Sequence, residues 1–162
     1  MAILNKNKLQ TNDYKFVNEF MDIANLNKKK IIVPKSLWKE QKKNLKDKTE
    51  KIGLQINSDE SIDDIVDDLS HFSLVQLNFL SFRDGRPFTV AKTLRKKFKF
   101  KKEIRATGHV LPDQYIFLIR CGFDTVEIEG QDKAVWVKIF KMDGGLYYQW
   151  EAWFKKSGFD KR

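Results

Sequence analysis

The chain has 162 residues, 41% hydrophobic and 13% aromatic, with a formal net charge of +9. That length suits one domain with a core of its own, and the aromatic content argues against disorder outside the ends. No apolar stretch reaches the roughly 18 residues of a membrane span, the first ten residues lack an apolar signal-peptide run, and a single cysteine, Cys121, excludes an internal disulfide framework, a cysteine-ligated iron–sulfur cluster and a CxxC pair; the protein reads as cytoplasmic, with no membrane segment.

Tyr14, Val17, Phe20, Met21 and Ala24 recur at helical spacing and predict a short helix over Asp13–Ala24. After Lys28-Lys29-Lys30, the β-branched run Ile31-Ile32-Val33 reads as a strand that Pro34 ends or confines to an edge. A Lys-rich helix from Ser36, an acceptable N-cap, and then a loop fill residues 35–51. Leu54-Gln55-Ile56 is a short strand. Ile62, Ile65, Val66, Leu69 and Phe72 give a helix of 3.6 period, its acids crowding the first turns.

Leu74 to Phe79 is a strand, apolar on alternate positions at Val75, Leu77 and Phe79. Asp84-Gly85-Arg86 is a turn, and Pro87 opens a helix with Val90, Ala91, Leu94 and Phe98 as its stripe. Glu103-Ile104-Arg105-Ala106 is a strand, Gly108 a turn, and Pro112 the start of a helix that Gly122 stops. Thr125-Val126-Glu127-Ile128 is the next strand, and Lys133 to Met142 a helix broken by Asp143-Gly144-Gly145. The tail Leu146 to Phe154 is strongly aromatic and must pack on something. The alternation predicts an α/β fold of repeated βα units with a mainly parallel sheet, open three-layer or partial-barrel. Residues 31–150 make the single α/β domain, 1–30 an N-terminal lead-in with a short helix, and 151–162 a C-terminal tail.

Charge is unevenly spread. Residues 1–51 carry thirteen basic and six acidic side chains, residues 52–80 six acids and no Lys or Arg, and residues 81–162 eighteen basic and ten acidic. Two basic blocks thus flank one acidic helix. A basic surface attracts nucleic acid, acidic membranes or an acidic protein, although biased codon usage also enriches Lys.

Parallel strands bring their C-terminal ends to one edge, where α/β proteins bind ligands. That edge would gather Arg83, Gly85, Arg86, Arg105, Thr107 and Gly108 beside helix N-termini, an arrangement suited to a small oxyanion such as sulfite, sulfate or phosphate. Each piece also has a plain structural reading. Asp84-Gly85-Arg86 is a turn held by Asp84, Gly108 lets the chain turn, His109 is an exposed loop residue, and Asp113 is a charge at a helix N-terminus. Arg105 and Arg120 are ion-pair partners of Asp124 or Glu103. Cys121 is a small buried residue, reactive only if exposed and electropositive. There is no GxGxxG, Walker loop, GxSxG or HExxH, no cofactor is expected, and two His with one Cys make a metal site improbable. In the run Lys92 to Lys102, Leu94 and Phe98 fall on the buried stripe, leaving Lys92, Lys96 and Lys97 on a solvated face. That face suits an acidic protein such as an electron carrier, with nucleic acid a less favoured partner.

Three runs carry a family resemblance: Phe82-Arg83-Asp84-Gly85-Arg86 with Ala91 and Leu94-Arg95, then Arg105-Ala106-Thr107-Gly108 with Val110-Leu111 and Asp113-Gln114, then Arg120-Cys121-Gly122-Phe123-Asp124. Tyr148-Gln149 is a weaker echo. Over roughly residues 31–150 the chain resembles a bacterial family of unknown biochemical function, typically encoded beside assimilatory sulfite reductase and described as an oxidoreductase of sulfite reduction. The family usually has an acid where this chain has His109. The resemblance implies sulfate assimilation and cysteine biosynthesis. It leaves two readings open. One is an accessory or adaptor protein that binds the sulfite reductase haemoprotein or its electron donor through the basic faces, with sulfite held near Arg83, Arg86 and Arg105. The other is an enzyme of sulfur assimilation with Asp84, Arg86, Asp113 and Cys121 near its active edge.

Overall fold

The computed structural model describes residues 2–6, 8–18, 30–48, 51–128 and 133–142. Eight strands form one sheet: β1 (Ala2–Asn5), β2 (Lys8–Thr11), β3 (Lys15–Phe16), β4 (Lys30–Pro34), β5 (Lys51–Asn57), β6 (Phe72–Phe79), β7 (Glu103–Gly108) and β8 (Thr125–Ile128). Their spatial order is β2-β1-β8-β7-β6-β5-β4-β3. Strands β3 to β8 are mutually parallel and neighbours in chain order, whereas β1 runs antiparallel to both β8 and β2. The sheet curls into a half-barrel with helices between successive strands. The partial-barrel form of the predicted α/β fold is therefore the one adopted.

The helices are α1 (Lys35–Lys48), bent at Gln41, then α2 (Arg86–Lys96), α3 (Tyr115–Cys121) and α4 (Lys133–Met142). They cover the convex face. Alternate strand residues point there, among them Val33, Leu54, Val75, Leu77, Ile104 and Val126, all buried in one cluster with Trp38, Leu94, Tyr115 and Trp136. Full burial of each such aliphatic side chain contributes about 1.5–3 kcal/mol.

The acidic block differs from its predicted form. Asp63–His71 is a 3-10 helix rather than an α-helix, and Phe72 already belongs to β6. Ile65 and Leu69 are buried in both forms, so the apolar spacing does not separate them. Reach does: nine residues span roughly 18 Å as a 3-10 helix but roughly 13.5 Å as an α-helix. The longer form returns the chain from the end of β5 to the start of β6. Its acids dock on α1. Lys35 pairs with Asp64 at 2.9 Å, Lys39 also meets Asp64, Lys42 meets Asp68, and the Trp38 indole N–H donates to Asp68 at 3.0 Å. Burial alone would push the Asp68 carboxyl up, but the bonds from Lys42 and Trp38 prevail and hold it below its ordinary value.

The N-terminus also differs. Ile3 and Leu4 are buried in β1, and β2 is exposed along its whole length. Residues 13–18 are not helical: Lys15–Phe16 forms β3, and the Val17 N–H bonds the Ile32 carbonyl at 2.9 Å. Pairing with β4 overrides the helical spacing of Tyr14 and Val17. The remainder of that expected helix, and the aromatic tail, lie outside the described residues.

One side chain ties three connections together. Arg95, near the end of α2, donates to the carbonyls of Gly122, Phe100 and Lys102 and to the Asp124 carboxylate. Asp124 in turn accepts the backbone N–H of Ile104 at the start of β7. Replacing Arg95 by Met strips three carbonyls and a carboxylate of one donor. Urea titration is expected to show a loss of roughly 2–3 kcal/mol; a change within ~0.5 kcal/mol would mean that the clamp contributes nothing.

Candidate functional site

The residues gathered at one edge in the sequence reading separate into two places. Arg83, Asp84, Gly85 and Arg86 lie beyond the C-terminal end of β6. Asp84 accepts the Arg86 backbone N–H at 3.0 Å in the turn just ahead of α2, and both carboxylate oxygens bind the Arg86 guanidinium at 2.7–3.2 Å. The Arg86 contact, the largest cause, holds the Asp84 carboxyl far below the usual carboxylate range. Arg86 also lines a shallow cleft with Asp59 and Glu60. Its charge is therefore met by neighbouring acids. Arg83 is exposed and lies over the Phe82 ring, 5.3 Å from its centroid. Asp113 is exposed in the short turn before α3. Cys121 is 2% exposed, and burial pushes its thiol up. Lys92 lies over Phe117, whereas Lys96 and Lys97 stand exposed at the end of α2.

Arg105 and Thr107 point elsewhere, into the concave face. The register lays three rows of side chains across it: Ile32, Gly53, Leu74 and Glu103, then Gln55, Gln76 and Arg105, then Asn57, Asn78 and Thr107. The two amide rows are hydrogen-bonded, Gln76 Nε2 to Gln55 Oε1 at 2.9 Å and Asn78 Nδ2 to Asn57 Oδ1 at 2.8 Å. Arg105 is 3% exposed. Its guanidinium binds Glu103 Oε1 at 2.9 and 3.1 Å and Asn12 Oδ1 at 3.0 Å, and lies over the Tyr14 ring. Glu127 on β8 accepts from Asn12 Nδ2 at 3.1 Å and from the Thr107 hydroxyl at 2.7 Å.

Asn12, Asp13 and Tyr14 form a strap over this face. They join β2 at one edge of the sheet to β3 at the other. Asn12 reaches β7 and β8, the Tyr14 hydroxyl meets Ser73 on β6 at 3.0 Å, and Asp13 pairs with Lys30 on β4 at 3.0 Å. Beneath the strap lies a cavity of 460 Å³ whose lining includes Tyr14, Lys15, Gln76, Asn78 and Glu127. That volume falls within the range of small-molecule sites. Gly108 also lines it, at φ +84°, and a Cβ there would sit 2.4 Å from Asn78 Oδ1 and 2.5 Å from the Phe79 carbonyl oxygen. Gly85 has a negative φ and open space around it.

Asn12, Tyr14, Gln76 and Glu127 are not evident from motif reading. The signal that points to three of the cavity positions is a polar residue alternating with Ile, Leu or Val inside parallel strands: Gln55 between Leu54 and Ile56, Gln76 between Val75 and Leu77, Glu127 between Val126 and Ile128. Parallel strands are ordinarily apolar on both faces, so the alternation marks a face not covered by helices. Asn12 and Tyr14 have no such signal. Among the described residues, no group of His, Cys, Asp or Glu is arranged to hold a metal, and no helix is long and apolar enough to cross a membrane.

Residues 53–159 match the model of a family described as bacterial proteins of unknown function (DUF934). The chain belongs to this family. No curated protein and no solved structure matches it. The matched span holds β6 to β8 and the runs that carry the resemblance; β1 to β4, with the strap, precede it.

Two expectations follow for the loop glycines and one for Asp84. Gly108→Ala is expected to cost about 2 kcal/mol or more from strain and contact, while Gly85→Ala changes stability by less than about 1 kcal/mol; equal effects in urea titration would refute the assignment. Asp84 has a depressed folded-state pKa. Its stabilising contribution is complete above the ordinary value of 3.8 and is lost as pH falls below it. Asp84→Asn should therefore flatten the acid limb of a melting-temperature profile; an unchanged slope below that value would show that the Arg86 contact is not retained in solution.

Proposed function

We propose that this protein is an accessory or adaptor protein of assimilatory sulfite reduction, within sulfate assimilation and cysteine biosynthesis, that docks the sulfite reductase haemoprotein or its acidic electron carrier in the cytoplasm. The pathway comes from the family resemblance. The docking is carried by one observation, the outward lysine run after α2. Lys96, Lys97, Lys99, Lys101 and Lys102 are exposed, while Phe98 packs on the core and Phe100 is 7% exposed, its backbone N–H bound to the Leu94 carbonyl. The phenylalanines anchor the segment and turn the lysines outward as a group. Lys6, Lys101 and Lys102 also line a cavity of 620 Å³ at the same end of the sheet. Such a patch steers an acidic protein by long-range attraction. With its aromatics turned inward it offers no stacking platform, which weighs against single-stranded nucleic acid.

The enzyme reading, a small oxidoreductase or other enzyme of sulfur assimilation acting on an oxyanion, has less support. Two of its three arginines, Arg86 and Arg105, are already bound by Asp84 and Glu103. An oxyanion would have to compete with those carboxylates.

The test is the sulfite-reduction rate of the host haemoprotein with its natural electron donor, with and without this chain. We expect a stimulation that saturates near equimolar protein, weakens with added salt, and is lost when Lys96 and Lys97 are both changed to Glu. No stimulation of a competent haemoprotein would overturn the proposal.

A further inference from the structure

We propose that the strapped concave cavity binds a small uncharged planar heterocycle of the nucleobase class, its amide-like edge held by Gln55 and Asn78 and its ring laid on Phe16. Charge is the first constraint. The ionic groups of this face are already engaged: Arg105 by Glu103 and Asn12, Lys30 by Asp13, and the two Glu127 oxygens by Asn12 and Thr107. Lys15 pairs with Ile31, a register that turns its side chain to the helix-covered side. An ion entering the cavity would lose water without meeting a counter-charge, which is costly. A neutral ligand carries no such penalty.

Hydrogen-bonding capacity is the second constraint. Gln55 and Asn78 line the cavity and are half-buried. Gln55 uses its Oε1 to accept from Gln76, and Asn78 uses its Nδ2 to donate to Asn57. Among the described residues the Gln55 amide nitrogen and the Asn78 amide oxygen make no hydrogen bond, and neither is sealed off as Gln76 Oε1 is. The cavity thus offers one donor and one acceptor from neighbouring strands and neighbouring rows, roughly 5 Å apart across the sheet and roughly 7 Å along it. Asn and Gln carboxamides read the donor–acceptor edge of a base in this way.

The wall is the third. Phe16 pairs in register with Ile32, lines the cavity beside it and is 41% exposed, whereas the Tyr14 ring already meets Arg105 and Lys30. An open aromatic face stacks a flat ring. A fixed donor and a fixed acceptor beside that face suit a rigid ring with both groups on its edge better than a puckered polyol. This inference stands apart from the docking proposal. Its test contains no reductase, so failure of one leaves the other untouched.

The test is calorimetric titration of the full chain with adenine, hypoxanthine, cytosine and uracil, with orotate, the carboxylate of uracil, and with glucose and ribose. At least one base is expected to bind and to raise the melting temperature by mass action. Orotate and the sugars should bind at least about tenfold more weakly than that base. Gln55→Glu keeps an acceptor for Gln76 but removes the amide donor, and should weaken binding about tenfold. Should Gln55→Glu fail to fold, Phe16→Ala at an exposed position serves instead, with a similar loss expected from the missing stack. Absence of binding by every base, orotate or a sugar bound as tightly as the best base, or undiminished binding by folded Gln55→Glu or by Phe16→Ala would each overturn the proposal.

Discussion

The shape of this molecule depends on a three-residue connection. Strands β2 and β3 stand at opposite edges of an eight-stranded sheet, yet only Asn12, Asp13 and Tyr14 separate them. A chain from Thr11 to Lys15 reaches at most about 14 Å. Flat, a sheet of eight strands is more than twice as wide, at about 4.8 Å per strand. The sheet must therefore curl until its edges nearly meet, and the connection must cross the concave side. Closure also fixes chemistry. The strap carries a short amide and a phenol over strands whose inward residues include Arg105, Glu127 and Ser73, and Asn12 and Tyr14 find their partners among them.

Charge placement follows from the same frame. The convex side is filled by helices, so the acidic block between β5 and β6 lies against α1, and its carboxylates meet Lys35, Lys39 and Lys42. Asp64 and Asp68 of the acidic block thereby pair with three lysines of the first basic block across a packed seam. The segment after α2 meets the same 3-10 helix, Lys102 donating to the Ser70 carbonyl at 2.8 Å. There Arg95 is drawn inward to three carbonyls and Asp124, and the flanking lysines are left outside. The net charge of +9 is thus not a uniform coat: an exposed lysine run follows α2, while the lysines of α1 face acids.

Much of the βα order is legible from residue spacing, because each convex-facing stripe is apolar and each turn carries its own Gly, Pro or Asp. Gly122 at φ +106° ends α3 as its position after Cys121 suggests. Three features are not legible, for different reasons. The β1–β2 hairpin buries only Ile3 and Leu4, and β2 is exposed at all four residues, so it has no apolar rhythm to detect. The 3-10 helix buries the same Ile and Leu spacing as an α-helix and is chosen by reach, which depends on the strands at either end. The cavity depends on residues more than 100 positions apart, as in the bond from Asn12 to Glu127, and no local pattern encodes such a pairing. Conversely, the sequence of Asp84-Gly85-Arg86 fits a turn and equally an edge where Arg86 meets an anion, and only the geometry shows Arg86 bound to Asp84 within the turn.

The runs that carry the family resemblance divide by what they touch. Leu94-Arg95 and Gly122-Phe123-Asp124 form one clamp, since Arg95 holds Gly122 and Asp124, and Gly122 itself could not carry a Cβ without meeting Arg95 at 2.6 Å. Asp84-Gly85-Arg86 is the turn that leads into α2. These residues are demanded by architecture, so a match to them identifies a fold and says little of chemistry. Arg105-Ala106-Thr107-Gly108 is different. Ala106 faces the helices, but Arg105 and Thr107 turn to the concave face, and Gly108, at φ +84°, lies so close to Asn78 and Phe79 that a Cβ would meet both. A strand that needed only stability would place apolar residues at those positions, because a paired buried arginine stabilises no more than a well-packed aliphatic side chain. The polar choice at Arg105 and Thr107, matched by Gln76 on the neighbouring strand, sets the concave face apart from the apolar core under the helices.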